Sequence, residues 1–348
     1  MKITNITLFM AGLSFNAIAI ENGTSVNWND HNDIIKLYSS DEIQSCSGTL
    51  IAGKYVLTAA HCLISNNPIV KITSATGKKE NIISQNTHTG YYDATNGGSE
   101  NWHDVAVSEL SNYVDTKQIH FFANQIIDKK NKSDDVQVFG FGATYENLNY
   151  ATFSIVDLEI NPQDRLDSSF INQGNTIGGD SGSAWLINNK IVAVHKGGDW
   201  IVDVNENETR ETYSTNLHYS NDFILETING WHYPTLANTS NGSATITVQS
   251  LHLNPYSDTA NYSGDVVITG GTCLGITDIQ PFKTCTYIIE SQGGEGQLLL
   301  SNNEVITINK PIPEATPPLT PSNDDDSGGS LGFLSLIALL GLTLIRRK

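Results

Sequence analysis

Three stretches of this chain carry residue types that together can break a carbonyl–nitrogen bond: Leu57-Thr58-Ala59-Ala60-His61-Cys62, His103-Asp104-Val105-Ala106-Val107 and Gly178-Gly179-Asp180-Ser181-Gly182-Ser183. A serine hydroxyl is a poor nucleophile near neutral pH. It needs an adjacent imidazole to take its proton as the new bond forms. The imidazole in turn needs a buried carboxylate to fix its tautomer and stabilise its charged form. Ser181, His61 and Asp104 are the candidates for these roles. Each has a plainer reading alone: the chain holds nine histidines, and Asp104 also reads as an acid at the start of a strand.

The three blocks, in this order and at these spacings, resemble the active-site blocks of the chymotrypsin/trypsin-like serine proteases, and the resemblance runs from about Ile20 to Ile228. It implies two β-barrels with the catalytic groups in the cleft between them, acyl-enzyme chemistry, and no metal or organic cofactor. It also implies that the amides of Gly179 and Ser181 form the oxyanion hole, where glycine lets the chain turn sharply. Asp180 matches the acid that pairs with a freed N-terminal amine in this family, and Ile20-Glu21-Asn22-Gly23 resembles an activated N-terminus. An inactive, adhesin-like relative is the rival expectation, and intact His61, Asp104 and Ser181 count against it.

The pocket residues depart from the trypsin pattern. Asn175 stands where enzymes that cut after Lys or Arg carry Asp, Ile177 replaces a common half-cystine, and Ser183-Ala184 replaces Gly-Pro. Thr176 with His195-Lys196-Gly197-Gly198 is similar to the glutamyl endopeptidases, which implies an acidic preference held by imidazole, hydroxyl and Lys196. Against this stands a reading in which Glu211 reaches the pocket floor and attracts a cation. Gly198 and its neighbour also serve simply to let an extended substrate strand approach closely.

The elements that must position these groups are strands. From Ile34 to about Tyr219 short apolar or alternating runs, such as Lys54 to Leu57, Val136 to Phe141 and Lys190 to Val194, are separated by Gly, Asn, Asp and Ser. That pattern predicts an all-β domain, with one helix near Ser220 to Ile228. A second set of strands is predicted at Ser243 to Leu251, Asp265 to Ile268, Cys285 to Glu290, Gln297 to Leu300 and Glu304 to Ile308, which suggests a small Ig-like β-sandwich. The predicted architecture is therefore a chymotrypsin-like double β-barrel over 20–232, followed by a sandwich over 233–310.

The 348 residues carry 37 acidic and 19 basic side chains, a formal charge of −18 that disfavours nucleic acid as a partner. Residues 1–19, with Lys2, the apolar run Ile6 to Phe15 and Ala17-Ile18-Ala19, have the form of a secretory signal peptide. Export to an oxidising compartment makes disulfides the natural state of the four cysteines, with Cys46 paired to Cys62 and Cys273 to Cys285 among three possible connectivities. If signal peptidase cuts before Ile20, its cut is also the activating one. Residues 311–327 form a Pro- and Asp-rich linker. Residues 328–348, from Gly328-Gly329 through an apolar run to Arg346-Arg347-Lys348, resemble the GlyGly-CTERM sorting tail. That resemblance implies a transient inner-membrane span in a Gram-negative bacterium, a rhombosortase-type processing protease, type II secretion, and release or attachment at the outer surface. The expected substrates are proteins or peptides.

Overall fold

The computed structural model describes residues 20–91, 102–142, 147–156, 164–171, 174–202 and 208–311. The signal peptide, the linker beyond Pro311 and the sorting tail lie outside the described residues. Among the described residues no helix is long and apolar enough to cross a membrane.

The predicted double barrel is present. Six antiparallel strands close the first barrel in the order Ile34–Ser39, Gln44–Ile51, Tyr55–Thr58, Ala106–Leu110, Lys79–Thr87, Ile69–Thr73. Its interior is filled by branched apolar residues such as Ile35, Leu37, Leu50, Val56, Leu57 and Val107, all fully buried. In the second barrel Asp135–Gly140 pairs with both Leu148–Ile155 and Ala184–Ile187, and the circuit runs on through Arg165–Phe170, Glu208–Asn216 and Lys190–Val202. Thr24–Val26 lies along Leu148–Ile155 in register Thr24↔Tyr150, which ties the start of the described chain to the second barrel. Closure removes the unpaired strand edges that would otherwise invite association.

Strand Lys190–Val202 runs well past the predicted Val194. A bulge between His195 and Gly197 takes up one residue, so pairing resumes at Gly197↔Tyr213 and continues. The single eight-residue helix, Asn221–Ile228, buries Ile224, Leu225 and Ile228 on one face. It ends at Asn229, whose positive φ of 41° lets its amide return to the Leu225 carbonyl at 2.9 Å.

Beyond the helix, two four-stranded sheets pack around a core of their own. One consists of Gly230–His232, Ser243–Leu251, Thr284–Glu290 and Val267–Gly270; the other of Leu236–Ala237, Val305–Ile308, Gly296–Leu299 and Asn261–Gly264. Trp231, Val248, Tyr287, Ile289, Leu298 and Ile306 fill the space between them. The strand expected from Asp265 begins instead at Val267, because the Asp265 carboxylate closes a turn by accepting the Gly294 amide at 2.6 Å. Cys273 and Cys285 are disulfide-bonded across neighbouring segments. Closing a loop with a sequence separation of 12 stabilises by about 3 kcal/mol in the chain-entropy model.

These sheets grip the chain where it crosses between the barrels. The Phe122 amide donates to Gln249 Oε1 at 2.9 Å, and Gln249 Nε2 donates to the carbonyls of Phe122 and Phe282, each at 2.9 Å. The Thr116 amide donates to Thr235 Oγ1 at 2.7 Å. His232 is fully buried: its Nδ1 accepts the Ala52 amide at 3.1 Å, so Nε2 carries the proton and donates to the His120 carbonyl at 3.0 Å. Burial pushes its pKa down to about 4, so the ring is neutral and both nitrogens are satisfied.

Candidate active site

His61 opens a single helical turn, His61–Ile64, that follows strand Tyr55–Thr58. The next residue, Cys62, is joined by a disulfide to Cys46 in strand Gln44–Ile51, which anchors the turn to the barrel wall. Asp104 lies just before Ala106–Leu110, the strand that pairs with Tyr55–Thr58. The first barrel alone therefore brings acid and base together. Asp104 is fully buried, its Oδ1 accepts the His61 amide at 2.9 Å and its Oδ2 the His61 Nδ1 proton at 2.7 Å. The Thr215 hydroxyl donates to the Asp104 carbonyl at 3.3 Å, a tie from the second barrel. With Nδ1 so engaged, Nε2 is the nitrogen left for chemistry, on a side chain 31% exposed. Burial would lower the imidazole pKa and the nearby Lys196 cation lowers it further, but the hydrogen bond and charge of Asp104 outweigh both and hold it above 6.5.

Ser181 comes from the second barrel, on the turn before Ala184–Ile187. The turn is latched to the first barrel, with the Ser47 amide donating to the Ser181 carbonyl at 2.8 Å and the Ser47 hydroxyl to the Gly179 carbonyl at 2.9 Å. The Ser181 carbonyl oxygen lies 3.9 Å from Cys62 Sγ, beside the residue that follows His61. The Ser181 hydroxyl makes no hydrogen bond to the His61 ring here; such bonds commonly tighten only when substrate binds. Gly182 is required by this docking: at φ +86°, a Cβ would meet Thr58 Oγ1 at 2.0 Å and the Ser47 carbonyl at 2.3 Å. Cys46, His61 and Cys62 also cluster as a metal-binding set would, but the disulfide consumes both thiolates.

Gly179 has φ +100° and packs on the Gly142 carbonyl, which a Cβ would approach to 2.4 Å. Its amide and that of Ser181 are not donated to any described residue, whereas the Asp180 amide between them is given to Ile177 O at 3.1 Å. The Asp180 carboxylate is wholly buried and accepts the amides of Gly142 at 2.7 Å and Ile177 at 2.9 Å. Burial nevertheless drives its pKa up to about 7, against the pull of these two amides and the charge of Arg210. Ile20 is fully buried in the same barrel's core, and the segment after it docks by the Asn175 amide donating to the Glu21 carbonyl at 2.8 Å. No ion pair joins Ile20 to Asp180 in this uncleaved chain, where the Ile20 nitrogen is an ordinary amide.

The pocket candidates separate into two faces. Thr176 and Thr212 are buried and hydrogen-bonded through their hydroxyls, and a Cβ on Gly198 would stand 3.4 and 3.2 Å from those two oxygens. Asn175 is occupied through its backbone by Glu21. His195 is buried under Trp185, ring centroids 6.3 Å apart. Burial, then the charges of His61 and Arg210, lower its pKa to about 3, so it is a neutral ring beside the dyad and supplies no positive charge. Lys196 lies close enough to His61 for its charge to be felt. Glu211 does not reach Thr176: consecutive strand residues face opposite ways, and Glu211 sits with Asp167 and Arg165 on the far face from Thr212. The Glu211 side chain thus lies on the face away from Thr176 and Thr212, not with them as the cation-binding expectation had it. Arg210, which sequence reasoning overlooked, is on the Thr212 face and donates from Nη2 to the Thr176 carbonyl at 2.6 Å. Its signal was the two-residue spacing from Thr212, visible only once the strand and its facing are known.

The family described as Trypsin matches residues 20–224. The trypsin of Saccharopolyspora erythraea is 28% identical over 211 residues, covering 52% of this chain and 87% of that protein. Snake venom serine protease 3 of Craspedocephalus gramineus is 26% identical over 196 residues, covering 51% of this chain and 75% of its own length. Among solved structures, the VesB protease of Vibrio cholerae superposes with a TM-score of 0.46 at 17% identity, covering 83% of this chain and 98% of that one. With the match spanning both barrels and the first half of the helix that follows, the chain belongs to the trypsin family of serine proteases.

Proposed function

We propose that this protein is an endopeptidase in which His61, Asp104 and Ser181 act as one catalytic unit. His61 Nε2 takes the Ser181 proton as Oγ bonds to the scissile carbonyl carbon, then gives that proton to the departing amine nitrogen. Water then gives a proton to His61 Nε2 as it attacks the acyl carbon, and the imidazolium returns that proton to Ser181 Oγ as the ester bond breaks and the acid product leaves. The amides of Gly179 and Ser181 hold the oxyanion; losing one such donor costs about 3 kcal/mol of barrier. The observation that carries this reading is the doubly hydrogen-bonded His61–Asp104 pair lying against a nucleophile turn latched to the same barrel.

Activation follows from Asp180. A buried carboxyl with its pKa raised from 3.8 to about 7 is bound to its proton more tightly in the folded chain, so stability declines as pH rises across that window. A new ammonium at Ile20 would reverse this by pairing with the carboxylate, so cleavage before Ile20 both relieves the penalty and fixes the oxyanion turn. Signal peptidase is the proposed agent. The remaining elements of the reading are an acidic preference, a C-terminal Ig-like spacer, and export through the periplasm with processing of the C-terminal tail.

A fluorophosphonate probe tests the core claim. The secreted protein should label covalently, its Ser181→Ala variant should not, and terminal sequencing should begin at Ile20. An unreactive wild type with that N-terminus would sink the proposal.

A further inference from the structure

Arg210 is placed and partnered in a way that the catalytic unit does not explain. It is half-buried, its Nη2 is spent on the Thr176 carbonyl, and its Nε is sealed from solvent without an acceptor. Among the described residues no carboxylate forms an ion pair with it. The Trp200 ring, 64% exposed, lies with its centroid 5.7 Å from the guanidinium and shields it on one side. Among the described residues this guanidinium is paired with no carboxylate, though the buried Asp180 feels its charge, and planar forks of this kind match carboxylates.

Its position relates it to substrate. Strand residues 195–198 and the turn 176–183 are stitched together by the Gly182 amide on the His195 carbonyl at 2.9 Å and the His195 amide on the Ser183 carbonyl at 2.7 Å. These two segments flank Ser181. A peptide whose carbonyl lies at Ser181 therefore sends the side chain of the residue before the scissile bond between them, toward Thr176 and Thr212. Gly198 contributes no side chain there; a Cβ would come within 3.4 and 3.2 Å of the two hydroxyls, which are buried and bonded to each other. Arg210 stands at the Thr176 end, Glu211 is turned to the other face, and Asn175 is uncharged. Lys196 adds a second positive charge near His61. In a chain of net charge −18, cations gathered beside the nucleophile run against the overall balance.

We propose that Arg210 is the specificity-determining residue of this enzyme, binding the side-chain carboxylate of an aspartate or glutamate immediately before the cleaved bond, with the bonded Thr176–Thr212 hydroxyl pair beside it. This rests on the endopeptidase reading above and gives its acidic preference a different source from the one the sequence suggested: the charge comes from Arg210 while His195 stays neutral.

The test uses the secreted protein, its active sites counted with the fluorophosphonate probe, on peptide p-nitroanilides that differ only in the residue before the scissile bond. Wild type should favour Glu or Asp over Lys by about a hundredfold in kcat/KM. Arg210→Ala should cut the acidic-to-alanine ratio by about a hundredfold, chiefly through KM. Arg210→Lys, which keeps the charge and folds under the same constraints, should recover part of it, and Arg210→Glu should turn the preference toward Lys. A labelled wild type that prefers Lys or Phe, or an Arg210→Ala variant with its acidic ratio intact, overturns the assignment and leaves the endopeptidase reading standing. A wild type that does not label removes both.

Discussion

Among the described residues, two histidines, His61 and His120, give both their amide and their Nδ1 to one aspartate, and only His61 lies beside the turn that carries the proposed nucleophile. In the cleft, Asp104 accepts the amide and Nδ1 of His61 at 2.9 and 2.7 Å; at the seam with the C-terminal sheets, Asp33 Oδ2 accepts the amide and Nδ1 of His120 at 2.8 Å each. In both, burial opposes the charged imidazole and the aspartate outweighs it, so both pKa values rise above 6.5. What differs is the far side of the ring. His61 keeps a side chain 31% exposed, beside Cys62 and the Ser181 turn, whereas His120 is 7% exposed, bonded to the Asn189 side chain and packed near Phe139 and His31. The pairing of acid and imidazole thus fixes a ring, and the second nitrogen decides whether that ring does chemistry or holds a seam.

The sharpest way to break this comparison is to exchange the two losses. Asp104→Asn should cost about 10⁴ in kcat, because the imidazole loses its tautomer, while leaving the thermal midpoint near wild type. Asp33→Ala should do the reverse. It strands two buried donors of His120 and should cost about 3 kcal/mol of unfolding free energy, read by chemical denaturation, with kcat/KM per labelled site close to wild type. If Asp33→Ala abolished activity in a folded protein, the division of labour drawn here would fail. Next comes pH. The proposed mechanism requires neutral His61, so kcat/KM should fall as pH drops through a midpoint above 6.5, and in Ser181→Ala the NMR titration of His61 should show the same raised value. Replacing Asp104 by Asn there should move that midpoint below 6.5, since only burial and Lys196 would remain. His120 obeys the same linkage: its contribution to stability is complete below its unfolded value and is lost as pH rises through the raised folded one. The smallest effect is expected from His31→Ala, which removes a ring 4.6 Å from Phe139 and should cost about 0.5–1 kcal/mol.

The barrels were legible because their strands are short, alternating and punctuated by turn residues, and because His61, Asp104 and Ser181 sit in blocks whose neighbours also have fixed work, as Gly182 shows. Asn261–Gly264 was not legible: all four residues are exposed, so no apolar period marks it, and only its pairing with Gly296–Leu299 makes it a strand. The facing of the pocket residues was not legible for a related reason. Types and spacing nominate His195 and Glu211, but which face of a strand a residue occupies depends on the bulge at Lys196 and on pairing with distant segments. Nothing local in the sequence distinguishes Arg210 from a solvent-facing arginine. The seam was invisible as well, since His120, His232 and Gln249 acquire meaning only when three separate segments meet.

That seam has a consequence for how the cleft is built. The proposed catalytic groups are contributed by two barrels, and the covalent path between them runs through residues 111–134, part of which is clasped by Thr235, His232 and Gln249 from the C-terminal sheets. Those sheets behave as a splint across a joint: shortening the protein to its two barrels would expose the splinted segment and slacken the spacing on which proton transfer depends, far from any residue that touches substrate.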